Sequence, residues 1–202
     1  MPEITNNLDC WNAAYRFQSR GDHRRAMEIC TGDPCADVLE CQNYLGWRFY
    51  EQGDMKQAIQ WFNRAAEKEN ANASYGIACV HYAENNYTEA LRYFSDASER
   101  GCSRAFHWIG YMYHKGIGVS VDLKKAADFY EKGVANGYLI AQHALIRLTF
   151  QTSGIFMRLC ILPKYFYLIL KTAVVSRNAN DPRFADFLVL GPSINGIKAT
   201  MS

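Results

Sequence analysis

Residues 105–137 read AFHWIGYMYHKGIGVSVDLKKAADFYEKGVANG, and this stretch decides the fold. Gly110 has Ile109 one residue before it and Tyr113 three residues after it, and these offsets lie on one face of a helix. A small residue in that face allows a second helix to approach closely. Beyond the turn, Ala126 and Tyr130 supply the matching face of that second helix. The stretch therefore predicts a helix–turn–helix hairpin.

The same pattern recurs upstream at a fixed period, which is typical of repeat architectures. Its small residue falls at positions 14, 46, 78 and 110, and the fourth copy carries a four-residue insertion before the second helix. No single hairpin buries its own apolar face, so neighbouring hairpins must stack. We predict an all-α array of four hairpins over residues 1–150. The small residues are Ala14, Gly46, Ala78 and Gly110, and the rings three residues after them are Phe17, Phe49, His81 and Tyr113. The turns are Gly21-Asp22, Gly53-Asp54 and Asn85-Asn86. In the second helices of the first three hairpins, the small positions are Ala26, Ala58 and Ala90, and the residues four beyond them are Cys30, Phe62 and Phe94.

The fourth hairpin resembles the Sel-like branch of the tetratricopeptide-like superfamily. The resemblance rests on Ala105–Tyr113, Gly116-Ile117-Gly118-Val119, Asp122, Lys125-Ala126, Phe129–Lys132, Asn136-Gly137 and Ala141. The second and third hairpins keep the shorter turn of ordinary tetratricopeptide repeats. The first departs most, with Asp33 where the next two have Ala65 and Ala97. Over residues 9–150 the resemblance implies a right-handed α-solenoid that binds protein partners.

The C-terminal part of the chain changes character after a degenerate fifth repeat, which begins at Ala141 and has Ile146 at the small position. Residues 155–175 are apolar but are interrupted by three basic residues and Pro163, which disfavours a spanning helix of about 20 apolar residues. Two interpretations remain. Residues 165–170 either cap the array by packing on the helices of residues 123–150, or lie in a membrane interface. We assign 151–191 to the fifth repeat and cap, with a helix after Asp181-Pro182, and 192–202 to a flexible tail.

The composition disfavours several classes of protein. Lys and Arg number 22 against 20 Asp and Glu, which is no electrostatic footprint for nucleic acid. Seven cysteines, an odd number, follow a polar N-terminus without a secretory signal, so we expect free, mostly buried thiols in a reducing cytoplasm. Cys-rich Sel-like proteins that have been taken to be hydrolases carry periodic cysteine pairs. The cysteines of this chain follow no 32-residue period, which argues against a hydrolase of that type.

Catalytic chemistry has little support in the sequence. His107 and His114 share a helix face, but seven residues separate them by roughly 10 Å along the axis, too far to share a metal. Cys79 could approach them as a Cys–His nucleophile pair, although a polar lining role is simpler. Gly116-Ile117-Gly118 lacks the third glycine of a dinucleotide loop. We therefore expect no enzyme activity, no metal and no cofactor.

A surface is the better candidate for a functional site. The positions three before, one after and four after each small residue form a stripe along the first helix of each hairpin, which we call the ring stripe. In the resembled family this helix lines the concave groove. Aromatic rings with polar tips are typical binding anchors, so we predict a non-catalytic adaptor that binds a partner's peptide or helix. The predicted groove residues are Trp11, Tyr15, Asn43, Trp47, Tyr50, Tyr75, Tyr82, His107, Tyr111 and His114, with Gln18 and Cys79 completing the stripe.

Two alternatives to this groove hypothesis remain open. Individual rings of the stripe could pack between adjacent first helices instead of facing a partner. The chain could also be a membrane-associated factor for envelope or polysaccharide assembly, which docks peripherally on a bilayer through residues 155–175.

Overall fold

The computed structural model describes residues 7–154, 161–163, 166–167 and 170, and within these ranges it contains helices and turns without a strand. The helices confirm the predicted hairpin order, and the fold is of the all-α Sel-like solenoid class. A short 3-10 turn, Cys35–Asp37, separates α2 from α3. The helices are α1 Asn7–Gln18, α2 His23–Thr31, α3 Leu39–Glu51, α4 Met55–Ala66, α5 Ala71–Ala83, α6 Tyr87–Glu99, α7 Ser103–Lys115, α8 Leu123–Ala135 and α9 Leu139–Thr152.

Turn and cap residues explain where the helices begin and end. Gly21 and Gly53 have φ of 80° and 81°, the left-handed conformation that glycine adopts without steric cost. Immediately after them, the Asp22 and Asp54 carboxylates accept the backbone N–H groups of residues 25 and 57. Asp122 caps α8 in the same way. Each of these hairpins therefore reverses through local chemistry that the sequence specifies.

The chain divides into two compact units, Met1–Asn86 and Tyr87–Ser202. The boundary lies in the turn of the third predicted hairpin, so α1 to α5 belong to the N-terminal unit and α6 to α9 to the C-terminal unit. Within the N-terminal unit, α3 contacts α4 and α5, and α4 contacts α5. Within the C-terminal unit, α7, α8 and α9 contact one another. First helices of consecutive repeats are thus neighbours in each unit.

Close helix approach occurs where the small residues predict it. A Cβ added to Gly46 would lie 2.5 Å from Cε1 of Phe62, whose ring is fully buried. A Cβ added to Gly76 on α5 would lie 2.5 Å from the same ring atom. Phe62 therefore fills the space between two glycines on different helices. The contact with Gly46 is the predicted one, whereas the contact with Gly76 was not foreseen from the repeat pattern.

The fourth hairpin provides a direct test of the register. A Cβ on Gly110 would lie 2.7 Å from the Tyr130 ring and 3.1 Å from the Ala126 carbonyl oxygen. The carbonyl cannot move without displacing α8, so Gly110→Leu is expected to lower the free energy of unfolding by about 1–3 kcal/mol. Ala135→Leu, at an exposed position of α8, is the matched control and should be nearly neutral. A thermal melt of Gly110→Leu that coincides with wild type would mean that the hairpin register is wrong.

The expectation that every cysteine is a free thiol is wrong for two of them. Cys10 on α1 and Cys35 form a disulfide with a Cα–Cα distance of 5.4 Å across a sequence separation of 25. The 3-10 turn Cys35–Asp37, which follows the irregular first hairpin, contacts α1 and so brings Cys35 next to Cys10. The remaining described cysteines are buried free thiols, as predicted: Cys30, Cys41, Cys79 and Cys102. Cys160 lies outside the described residues.

The cap hypothesis is not supported by the described residues of the apolar segment. Phe166 and Leu170 expose 65% and 51% of their surface, and Tyr167 exposes 67%. For Phe166 and Leu170 the predicted burial against residues 123–150 is therefore wrong. The remainder of the predicted cap, the helix after Asp181-Pro182 and the C-terminal tail lie outside the described residues.

Candidate partner-binding face

The ring stripe of the N-terminal unit begins on α1 with accessible rings. Tyr15 exposes 54% of its surface, and Trp11 is half-buried. The Trp11 ring lies 6.0 Å from that of Tyr15 and 5.8 Å from that of Tyr44 on α3. Gln18, one turn further along α1, is also half-buried. The α1 part of the stripe is therefore available to a partner.

Two predicted groove residues, Trp47 and Tyr75, belong instead to the core. They are only 5% and 1% exposed. The Trp47 ring centroid lies 5.9 Å from that of Tyr75 and 5.2 Å from that of Phe62. Because α5 packs directly against α3 at this point, both rings are covered by a neighbouring helix. We withdraw Trp47 and Tyr75 from the site, together with the buried Cys79, whose burial also leaves its thiol unsuited to act as a nucleophile.

Three predicted groove residues of α3 and α5 remain candidates because they are less covered than Trp47 and Tyr75. Asn43, Tyr50 and Tyr82 are half-buried. Burial raises the pKa of Tyr50 above its usual value, with smaller contributions from Cys79 and Tyr82. The Asn43 amide donates to the Leu39 carbonyl at 3.1 Å, while its Oδ1 accepts no hydrogen bond within the described chain. The part of these side chains left accessible beside the aromatic core is therefore that of the two half-buried tyrosines, because the Asn43 Oδ1 is itself buried.

In the C-terminal unit, His107 sits among rings. Its imidazole lies 5.6 Å from the Tyr130 ring, 6.0 Å from the Tyr138 ring and 6.5 Å from the Tyr111 ring. Burial, followed by the charge of Arg147, lowers the pKa of His107 to about 4. The imidazole is therefore neutral near pH 7. Its buried Nδ1 has no hydrogen-bond partner in the described chain. His107 and Tyr111 are both half-buried and stay in the candidate face.

His114 is a structural residue, which corrects its assignment to the groove. It is 8% exposed, and both of its ring nitrogens are engaged within the protein. Nε2 lies 3.2 Å from Oε1 of Gln151 on α9, and Nδ1 lies 3.4 Å from the Tyr130 hydroxyl on α8. Burial lowers its pKa, and the nearby Lys115 adds to this. His114 thus ties α7 to both of the helices that pack against it.

Helix α9 supplies candidate residues that the sequence interpretation missed. The fourth repeat is four residues longer than the others, so the ring stripe of the fifth repeat lies 36 residues after that of the fourth. His107, Tyr111 and His114 then correspond to His143, Arg147 and Phe150. Of these three, Arg147 is exposed. Applying the same offsets to Ile146 would have found them from the sequence.

The described residues contain no group of His, Cys, Asp and Glu side chains that could hold a metal ion. Over the same residues, no helix is both long enough and apolar enough to cross a membrane.

Solved structures resemble this chain in fold. A Sel1 repeat protein from Oxalobacter formigenes is 25% identical, with a TM-score of 0.63, covering 77% of this chain and 69% of its own. The c5321 protein, a protective antigen of uropathogenic Escherichia coli with an SLR fold, is 21% identical with a TM-score of 0.66. That match covers 85% of this chain but 39% of the antigen. MamA from Desulfovibrio magneticus RS-1 is 16% identical with a TM-score of 0.52, covering 88% of this chain and 99% of its own.

A search of curated proteins finds no match. The Sel1 repeat family, however, matches residues 39–70, 74–102 and 103–138. These segments correspond to the second, third and fourth predicted hairpins. The Sel-like character predicted for the fourth hairpin therefore extends to the second and third, despite their shorter turns. With the all-α hairpin architecture and the structural likenesses, these three repeats show that the chain is a Sel-like repeat protein.

Proposed function

We propose that this chain is a non-catalytic adaptor that binds a peptide segment or helix of a partner protein through the accessible residues of the ring stripe. The Sel1 repeat fold is commonly a protein-interaction scaffold and is typically non-catalytic. The observation that carries the proposal is the exposed Tyr15 ring, with half-buried Trp11 beside it. Such rings give a large contact area at a small entropic cost, and their polar edges bond to a partner.

The accessible candidate residues are fewer than the predicted groove residues, and each unit has its own set. The set in the N-terminal unit is Trp11, Tyr15, Asn43, Tyr50 and Tyr82. The C-terminal unit has its own set, His107 and Tyr111. Trp47 and Tyr75 in the N-terminal unit and His114 in the C-terminal unit are excluded, because each is buried against neighbouring helices of its own unit.

Replacing Tyr15 and Tyr82 together by alanine is expected to abolish partner capture and leave helicity intact. Each ring at the centre of an interface typically contributes about 2 kcal/mol or more, and neither residue is buried. The measurement is affinity capture from a lysate of the source organism, quantified by mass spectrometry against wild type. Circular dichroism of the variant reports the fold.

The matched control is Trp61→Ala. Trp61 is a half-buried ring on α4, a second helix of the same unit, and the Arg64 guanidinium lies 4.7 Å from its centroid. This variant should retain every partner that wild type captures. Capture that survives in the double tyrosine variant, or that is lost equally in the control, would contradict the proposed face.

Peripheral membrane docking remains a second candidate because of three exposed apolar side chains. Leu162, Phe166 and Leu170 recur every fourth residue and are 47%, 65% and 51% exposed. Helical spacing of this kind places apolar groups on one side, where a bilayer interface can cover them. Co-sedimentation of the protein with anionic liposomes, lost on replacing Phe166 and Leu170 by serine, would support this function.

Cytoplasmic location stays a prediction. The disulfide between Cys10 and Cys35 favours an oxidising compartment instead, because such bonds are rare where glutathione and thioredoxin keep thiols reduced.

A further inference from the structure

The first helices of the C-terminal unit have an unbalanced charge. Neither α7 nor α9 contains an aspartate or glutamate, while Arg104, Lys115 and Arg147 are basic. Helix α8 differs, because Asp128 and Glu131 accompany its lysines. The first helices α1 and α3 of the other unit also contain acidic residues. The face built from α7 and α9, which contact each other, therefore lacks its own counter-ions.

The position of Arg147 on this face follows from its neighbours. Gln151 lies one turn beyond Arg147 on the same side of α9, and its Oε1 is 3.2 Å from Nε2 of His114 on α7. The side of α9 that includes Arg147 is thus turned toward the ring stripe of α7. In agreement with this placement, the charge of Arg147 acts on His107, His114 and Tyr130.

Arg147 is also an exposed cation, and no described residue forms an ion pair with it. The ion pairs found among the described residues engage Arg24, Arg25, Arg48, Arg92, Arg100 and Lys125. Arg147 makes none there. The neighbouring imidazoles of His107, His114 and His143 all have lowered pKa values because of burial, so they add little positive charge at neutral pH. Arg104 is buried and Lys115 lies at the C-terminal end of α7, so Arg147 is the exposed guanidinium of this face.

We propose that the face formed by α7 and α9, centred on Arg147, binds an acidic segment of a partner protein, with a carboxylate paired to the guanidinium. This inference rests on the proposed adaptor function and specifies the chemistry of its partner. A guanidinium forms strong, bidentate hydrogen bonds with a carboxylate. The rings of Tyr111 and Tyr138, which lie beside the His107 imidazole, supply contact area for the apolar part of the segment.

Charge complementarity favours an acidic polypeptide over a nucleic acid. Nucleic acid binding draws its affinity from many neutralised phosphates, whereas this face offers one exposed arginine and the whole chain has a formal net charge of +2. One guanidinium suffices for one carboxylate of a peptide.

The probe is a fluorescein-labelled peptide of alternating glutamate, leucine and serine, compared with the same peptide containing glutamine in place of glutamate. Fluorescence anisotropy with the full chain should show tighter binding of the glutamate peptide. Arg147→Glu should weaken that binding by roughly tenfold or more, because a hydrogen bond to a charged group is lost and repulsion replaces it. Arg147→Lys should retain part of the affinity, since the ammonium keeps the charge without the planar fork.

The control is Lys124→Glu, which makes the same change in net charge on the exposed surface of α8 and should leave binding nearly unchanged. Equal binding of the two peptides, equal loss in Arg147→Glu and Lys124→Glu, or equally tight binding of single-stranded oligothymidylate would overturn the inference. The adaptor function is tested separately by the Tyr15 and Tyr82 variants. A chain that still captures its partner through those rings but ignores peptide charge would refute only the acidic-segment proposal.

Discussion

Replacement of Phe62 by alanine is expected to lower the free energy of unfolding by about 3–5 kcal/mol. The Phe62 ring is fully buried and fills the space beside Gly46 on α3 and Gly76 on α5. It also packs edge-on against Trp47, with ring centroids 5.2 Å apart. Neither glycine has a side chain that could move into the vacated volume, so most of the cavity should persist. Urea denaturation followed by far-ultraviolet circular dichroism measures the loss.

Phe49→Ala is the matched control for this variant, because it makes the same chemical change at a half-buried position of the same unit. Its cost should be clearly smaller, since less surface is removed from the interior. Equal losses in the two variants would show that the glycine-flanked ring has no special role in joining α3, α4 and α5.

Removal of the disulfide by Cys10→Ala together with Cys35→Ala is expected to lower the free energy of unfolding by about 3 kcal/mol. The bond closes a loop with a sequence separation of 25, and closure of a loop of this size restricts the unfolded chain by an amount of that order. Both sulfurs are buried in the core of the first hairpin, so the alanines introduce no unpaired polar group. A reductant should bring the melting temperature of wild type close to that of the double variant.

Two observations separate this effect from ordinary loss of core volume. The double variant itself should not respond to reductant, and Cys79→Ala, at a buried free thiol, should cost less. Peptide mapping of the unreduced protein should recover the Cys10–Cys35 linkage. If all thiols are alkylated without prior reduction and the wild-type melt ignores reductant, the disulfide assignment fails, and the cytoplasmic prediction regains its support.

The sequence by itself determined the hairpins and their register. Small residues at 14, 46, 78 and 110 mark where two helices meet, because helical periodicity is a local property that any single sequence displays. The contact of Gly110 with Tyr130 confirms this across a four-residue insertion. The turns follow equally local rules, since glycine tolerates left-handed backbone and aspartate caps the helix that follows.

The tertiary structure alone decided which residues of the ring stripe remain accessible. Periodicity assigns Tyr15 and Trp47 to equivalent positions, yet Tyr15 is 54% exposed while Trp47 is almost fully buried. Trp11 and Tyr75 form a second equivalent pair, of which Trp11 is half-buried and Tyr75 almost fully buried. The difference depends on how closely the next helix packs, and this is set by side chains distant in the sequence, such as Gly76 against Phe62. For the same reason only the folded chain revealed the pairing of Cys10 with Cys35 and of His114 with Gln151. Such contacts join residues that no local pattern relates.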